Sequence, residues 1–252
     1  TVRDNKFGGF AMDSMHIDVL DSGAGFAVTS PNTAVTLPGG SMQNVTWNVA
    51  NTATAPISTA SVNVWLSVDG GQTYHILLSG NTPNDGSESV SIPYLNVDTA
   101  RIKIEAVGNI FFDISNVNFS ISSPDTDGDG IPDGFESAEG LNANDPADGA
   151  LDADGDGSTN YAEFVAGTNL HDPTSRLRVT NIIRNSGSAA VTFTTQPNRR
   201  YQIEASSNFV RWDVISGDIV SNGPTATYED AAAGSGAGQA LSRRHYRVNV
   251  VP

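Results

Sequence analysis

Two stretches of the chain alternate cleanly between apolar and polar residues. Val62-Asn63-Val64-Trp65-Leu66 and Ile102-Lys103-Ile104-Glu105 put every second side chain on one face, the period of a half-buried strand. With related runs, they predict seven strands of one β region at 26–29, 44–49, 61–67, 73–78, 89–92, 100–106 and 116–121. Turn signals fall between them at Pro38-Gly39-Gly40, Asp69-Gly70-Gly71 and Asn84-Asp85-Gly86. About seven short strands in ~100 residues fit an immunoglobulin-like sandwich, with Trp47 placed to fill its centre. A second, smaller set at 190–194, 201–206, 212–215, 225–228 and 245–250 predicts a second small β-sandwich. Short helices are expected only at 134–139 and 161–165.

The patterning divides the chain into four parts: an N-terminal extension at 1–24, the first sandwich at 25–122, a segment at 123–175 and the second sandwich at 176–252. The extension contains its own alternation, with Met15, Ile17 and Val19 on one face and His16 and Asp18 on the other. A lone strand is not stable in water and needs a sheet edge. Ser22-Gly23-Ala24-Gly25 is a flexible joint that would let it reach a neighbouring molecule. The expected partner is therefore another copy of the chain, bound head to tail; pairing with its own domain is the other possibility.

Charge sharpens the picture. The formal net charge is −15, and residues 123–175 hold thirteen of the 28 acidic residues with no Lys or Arg among them. Nine of the 13 basic residues lie from Arg176 onward. Such a surface repels nucleic acid, and an unpaired acidic block calls for a cation. There is no cysteine, so any stapling falls to a metal rather than a disulfide. No apolar run approaches ~20 residues, so no helical membrane span is expected. No leader is apparent, and the start at Thr1 reads as a mature or trimmed end.

The acidic segment carries the sharpest chemistry. Asp125, Asp127, Asp129, Ile131, Asp133 and Glu136 occupy positions 1, 3, 5, 7, 9 and 12 of a twelve-residue calcium loop, with Gly130 at position 6. The pattern repeats as Asp152, Asp154, Asp156, Ser158, Asn160 and Glu163, with Gly157 at position 6. Calcium takes about six to eight oxygen ligands. Alternate Asp side chains converge only if the chain turns sharply at the glycine. Position 7 would contribute its backbone carbonyl, and the Glu at position 12 two oxygens. Two bound calcium ions are expected. A solvated acidic linker, magnesium in place of calcium, and a calcium sensor are the competing readings; a sensor needs longer flanking helices and a Met-rich groove. Without metal, five carboxylates in the first loop and four in the second repel one another, so binding is coupled to folding.

No catalytic constellation stands beside these loops, and no enzyme activity is expected. The close carboxylate pairs lie in the calcium loops, and no nucleophile elbow is present. His16, His75, His171 and His245 are isolated. Ser67-Val68-Asp69-Gly70-Gly71-Gln72-Thr73-Tyr74 fits an Asp-box, a hairpin device read here as scaffold.

The segment from Asp125 to Ser175, with Gly140-Leu141-Asn142 and Ala166-Gly167-Thr168-Asn169, resembles the thrombospondin type 3 and dockerin-like repeats of secreted bacterial proteins. In such repeats calcium organises a linker between domains. Thr46-Trp47-Asn48-Val49-Ala50, Leu66-Ser67-Val68-Asp69-Gly70-Gly71, Thr82-Pro83-Asn84-Asp85-Gly86-Ser87 and Asn109-Ile110-Phe111-Phe112-Asp113-Ile114-Ser115 resemble the C-terminal immunoglobulin-like part of bacterial reprolysin-type metallopeptidases. The last domain, with Tyr201-Gln202-Ile203-Glu204-Ala205-Ser206 and His245-Tyr246-Arg247-Val248, is similar to the small, fibronectin type III-like modules that end such proteins. The resemblance implies export to the cell surface or beyond. It carries no peptidase activity, because the H-E-x-x-H zinc helix is missing. Two functions compete: a calcium-stiffened subunit of an extracellular fibre, and an accessory module of a larger secreted metallopeptidase that binds carbohydrate or matrix.

Overall fold

The alternating segments become facing sheets. The structure is a computed structural model that describes residues 23–185, 187–221, 223–231 and 244–251. The expected donor strand at 15–19 lies outside the described residues.

The strands before the acidic segment are β1 (Ala27–Ser30), β2 (Thr36–Pro38), β3 (Met42–Asn48), β4 (Ser61–Ser67), β5 (Ile76–Pro83), β6 (Ser87–Ser91), β7 (Val97–Ala106), β8 (Phe112–Ile114) and β9 (Phe119–Ser122). One sheet runs β1-β3-β6; the other runs β2-β9-β7-β4-β5, with β8 also on β7. The alternation seen in sequence decides the core. Val62, Val64 and Leu66 of β4 pair in register with Ala106, Ile104 and Ile102 of β7, and all six are buried. They face Val28, Val45, Trp47 and Val90 from the other sheet. Each such side chain contributes about 1.5–3 kcal/mol over leaving it exposed, an upper figure because the unfolded chain is itself partly collapsed. Trp47 lies between the sheets as expected, and its indole N–H donates to Asn84 Oδ1 at 2.9 Å.

Strand β5 begins later than the alternation suggests. Residues 73–75 are held in the preceding turn, where Asp69 accepts from the Thr73 amide at 3.0 Å and the Gln72 amide at 2.9 Å. Ser67 Oγ donates to Asp69 Oδ1 at 2.6 Å and accepts from the Gly71 amide at 2.9 Å. These bonds hold the Asp69 carboxyl well below the usual carboxylate range, the Ser67 and Thr73 hydroxyls contributing most.

After the acidic segment come β10 (Val179–Asn185), β11 (Ser188–Thr194), β12 (Arg200–Ser206), β13 (Asp213–Val214), β14 (Ile219–Val220), β15 (Thr225–Asp230) and β16 (His245–Val251). One sheet runs β10-β11-β15. In the other, β12 pairs with β16, β13 and β14. Phe193, Tyr201 and Ile203 are buried between them, packed by Tyr228, Tyr246 and Val248. The chain is thus mainly β, with an immunoglobulin-like sandwich, an acidic segment and a second small sandwich. Among the described residues no helix is long and apolar enough to cross a membrane.

Candidate metal centre

Residues 123–175 contain two short helices, α1 (Asp133–Glu139) and α2 (Asn160–Ala166), with a single 3-10 turn at Asp148–Ala150 between them. Each helix begins at position 9 of one acidic loop and stops at a left-handed glycine: Gly140 at φ 78° and Gly167 at φ 72°. The amides of Leu141 and Thr168 then return to the Glu136 and Glu163 carbonyls, closing the last turn.

Both loops are built alike. Asp125 accepts from the Gly128 amide at 2.8 Å and the Gly130 amide at 3.0 Å; Asp152 accepts from Gly155 and Gly157, both at 2.8 Å. Gly130 and Gly157 each have φ of 96°, a left-handed backbone that favours glycine. Asp127 and Asp129 use one oxygen each on the amides of Asp129 and Ile131; Asp154 and Asp156 do the same on Asp156 and Ser158. Carboxylate oxygens of the three aspartates in each loop converge. Oxygens of Asp125, Asp127 and Asp129 lie within 4.8 Å of one another, as do those of Asp152, Asp154 and Asp156.

The buried oxygens test whether a metal fits. Asp127 Oδ2, Asp129 Oδ2, Asp154 Oδ2, Asp156 Oδ2, Glu163 Oε2 and both Glu136 carboxylate oxygens are buried without a hydrogen-bond partner. Glu136 and Glu163 are 0% exposed. An isolated carboxylate is costly to bury, and a row of them around one point is costlier still. Burial, followed by the charges of Asp127, Asp129, Asp148 and Asp133, pushes the Glu136 carboxyl up to about 7. Glu163 is raised by burial and by Asp154, Asp156 and Asp152; Asp127 is raised by burial and by Asp129, Asp125 and Asp148. All-oxygen donors with inward-facing lone pairs suit a hard divalent cation. The donor sets fit calcium.

The position 9 residues behave differently from the other expected ligands. Asp133 spends its carboxylate on Thr126, accepting from the amide and the hydroxyl, both at 2.7 Å. Asn160 accepts from the Ala153 amide at 3.2 Å and donates to the Asp148 carbonyl at 2.8 Å. In each loop, position 9 thus closes the ring onto position 2. Among the described residues Asp133 joins no acidic cluster, and neither does Glu163. At position 7, the Ile131 side chain is buried while its amide holds Asp129, and the Ser158 amide holds Asp156.

One residue lay outside the sequence pattern. Asp148, 8% exposed, brings an oxygen within 4.8 Å of those of Asp129 and Glu136. Its Oδ2 accepts from the Asn142 amide at 2.7 Å, and its Oδ1 is buried without a partner. Its only signal in sequence is the glycine that follows. A Cβ on Gly149 would sit 2.2 Å from Asp129 Oδ2.

The centre is seated against both sandwiches. Tyr94 of the first makes edge contacts with Phe135 of α1 at 5.6 Å and Phe164 of α2 at 6.3 Å, and the two phenylalanines lie 4.8 Å apart. Asn96 grips Ser123 at the segment's entrance through its amide at 2.7 Å and its carbonyl at 3.0 Å. From the second sandwich side, Arg176 donates to the Asp156 carbonyl at 2.8 Å and Arg199 to the Phe164 carbonyl at 3.3 Å.

No protein-family model and no curated protein match the chain. Among solved structures, the crystal structure of the chicken CNTN1 FN1-FN3 domains is similar at 9% identity and a TM-score of 0.23. The match covers 89% of this chain and 60% of that one. This chain therefore spans less than two thirds of that structure's length, and a likeness at this score carries no argument about function.

Proposed function

We propose that the chain is a non-enzymatic structural protein of the cell exterior, stiffened by two calcium ions. One ion binds per loop and fixes the segment between the sandwiches. The observation that carries this reading is the set of buried, unpartnered carboxylate oxygens in both loops. Loops of this kind in extracellular modules bind in the ~10⁻⁴–10⁻³ M range, which suits a calcium-rich exterior. In this reading the chain is a subunit of a cell-surface or extracellular fibre. Residues 1–24 donate a strand to a neighbouring copy, and a contact of that head-to-tail kind does not close on itself. Deleting residues 1–21 and comparing assemblies by electron microscopy tests it. The full chain should form filaments and the truncated chain should not; a full chain that stays monomeric at high concentration refutes the fibre.

A second reading is an accessory module that binds glycan or matrix. It is favoured by one surface of the second sandwich, where Phe209 and Val210 are 63% and 84% exposed. Phe209 stacks on His245 at 3.6 Å, and Arg247 covers Trp212 at 4.5 Å. Phe209 is an exposed ring that offers apolar area to a ligand. Retention of the chain on an insoluble polysaccharide, lost in Phe209→Ala, would select this reading.

A further inference from the structure

We propose that the two metal sites are coupled through Asp148, which completes the first site from outside its loop and anchors the second through its backbone. The inference builds on the calcium reading and goes beyond it, since a doubled loop implies only two separate sites.

Asp148 faces both ways. Its carboxylate joins the cluster with Asp129 and Glu136, and its Oδ1 is buried without a partner. Its carbonyl accepts the Asn160 Nδ2–H at 2.8 Å. Asn160 is the first residue of α2, and its Oδ1 holds the Ala153 amide within the second loop. Glu163 lies one turn further along the same helix. An ion drawing Asp148 into the first site therefore fixes the carbonyl from which α2 hangs. With Asp133 committed to Thr126, Asp148 supplies the carboxylate that position 9 does not.

Other contacts bridge the loops independently. The Tyr161 ring of α2 lies against Gly130 of the first loop, close enough that a Cβ on Gly130 would come within 2.6 Å of it. Phe135 and Phe164 join the two helices. Ordering one loop thus orders much of the other, and the second ion meets a site whose ordering cost is already met. Coupling of this kind is reciprocal: emptying either site weakens the other by the same factor.

The test is calcium titration of the full chain by isothermal calorimetry, with terbium luminescence excited through Tyr161 to follow the first site. Tyr161→Phe confirms Tyr161 as the antenna by losing the signal, and the part that survives Glu163→Gln is assigned to the first site. Glu163→Gln disables the second site, and first-site affinity should fall roughly 5- to 150-fold. Asp148→Asn keeps the backbone carbonyl and side-chain volume but removes the charge. It should weaken the first site about 10- to 100-fold and drag the second down with it. Gly149→Ala, which drives a methyl into Asp129, should reproduce the first-site loss. First-site affinity unchanged in Glu163→Gln, or two ions bound by Asp148→Asn as in the parent, would overturn the coupling while leaving the calcium reading intact. A parent chain that binds no calcium at all would overturn the calcium reading itself.

Discussion

Asn198 clasps the backbone of Leu77 from the opposite sandwich: its Oδ1 accepts the Leu77 N–H and its Nδ2 donates to the Leu77 carbonyl, both at 3.0 Å. The side-chain amide thereby mimics one residue of a neighbouring strand on the free side of β5. Asn198 sits at φ 60°, a conformation that asparagine tolerates better than most residues. Its neighbour Arg199 reaches α2, so one turn of the second sandwich holds both the first sandwich and the metal segment.

Asn198→Gly should keep that backbone conformation and remove the clasp. The bonds are solvent-exposed and worth about 0.5–1.5 kcal/mol each at most. Melting of the individual sandwiches should change little. Small-angle scattering should report a larger radius of gyration, and identical scattering curves would show that the clasp does not hold the sandwiches together.

Chelation should loosen the middle of the molecule and spare its ends. In about 10 mM calcium, a site of ~10⁻⁴–10⁻³ M affinity adds roughly 1.4–2.7 kcal/mol by mass action. The sandwich cores contain none of the loop carboxylates. With excess chelator, limited proteolysis should cut within 123–175 and release two resistant fragments. Cutting inside β4 or β12 at the same rate would contradict this.

Acidity should act in opposite directions with and without calcium. Without metal, the Glu136 carboxyl is pushed from 4.5 up to about 7. The folded segment then retains a proton that the unfolded chain releases. Its stabilising contribution is complete below about 4.5 and is lost as pH rises to about 7. Calcium binds only the ionised carboxylate, so its affinity grows over that same window. Proteolysis of the metal-free segment should be slower near pH 5 than near pH 7.5. At about 10 mM calcium the order should reverse, and Glu136→Gln should flatten both profiles.

Trp47→Phe tests the buried polar network of the first sandwich. Asn84 accepts the indole N–H and donates to Thr52 Oγ1 at 2.9 Å and the Thr59 carbonyl at 3.1 Å. Phenylalanine leaves the Asn84 oxygen without that donor, at a cost of about 1–3 kcal/mol. Urea unfolding should show a lower midpoint at an unchanged slope. An unchanged midpoint would mean that water or a shifted Asn84 replaces the bond.

The sheets were legible wherever one face is buried and the other wet. Ser61–Ser67 could be read to the residue because β4 is flanked by β7 and β5 and its apolar positions fill the core. Thr36–Pro38, Phe112–Ile114 and Ile219–Val220 were missed, since two or three residues carry no period, and β2 pairs in parallel with a strand far along the chain. Val179–Asn185 was missed too: its neighbouring Ile182 and Ile183 are both exposed, so no alternation marks it. In the acidic loops the spacing located Asp125, Asp127, Asp129, Glu136, Asp152, Asp154 and Asp156, whose oxygens cluster. It could not show that Asp133 turns away to Thr126, because a ligand and a clasp are chemically the same carboxylate. Nor could it show Asp148, which lies outside both twelve-residue patterns and comes beside Asp129 and Glu136 only in the folded chain.

The acidic segment is the sole covalent route between the sandwiches: β9 ends at Ser122, three residues before Asp125, and β10 begins at Val179, beyond both loops. In a filament, tension along the chain would run through this segment in series with the sheets. Sheets resist by shearing whole ladders, whereas these loops would resist through short turns, the ring contacts of Phe135 and Phe164 and, on the calcium reading, the bound ions. The segment would therefore act as a fuse whose yield strength follows the calcium level of the surroundings. It would lengthen before any sandwich tears and recoil when the ions return.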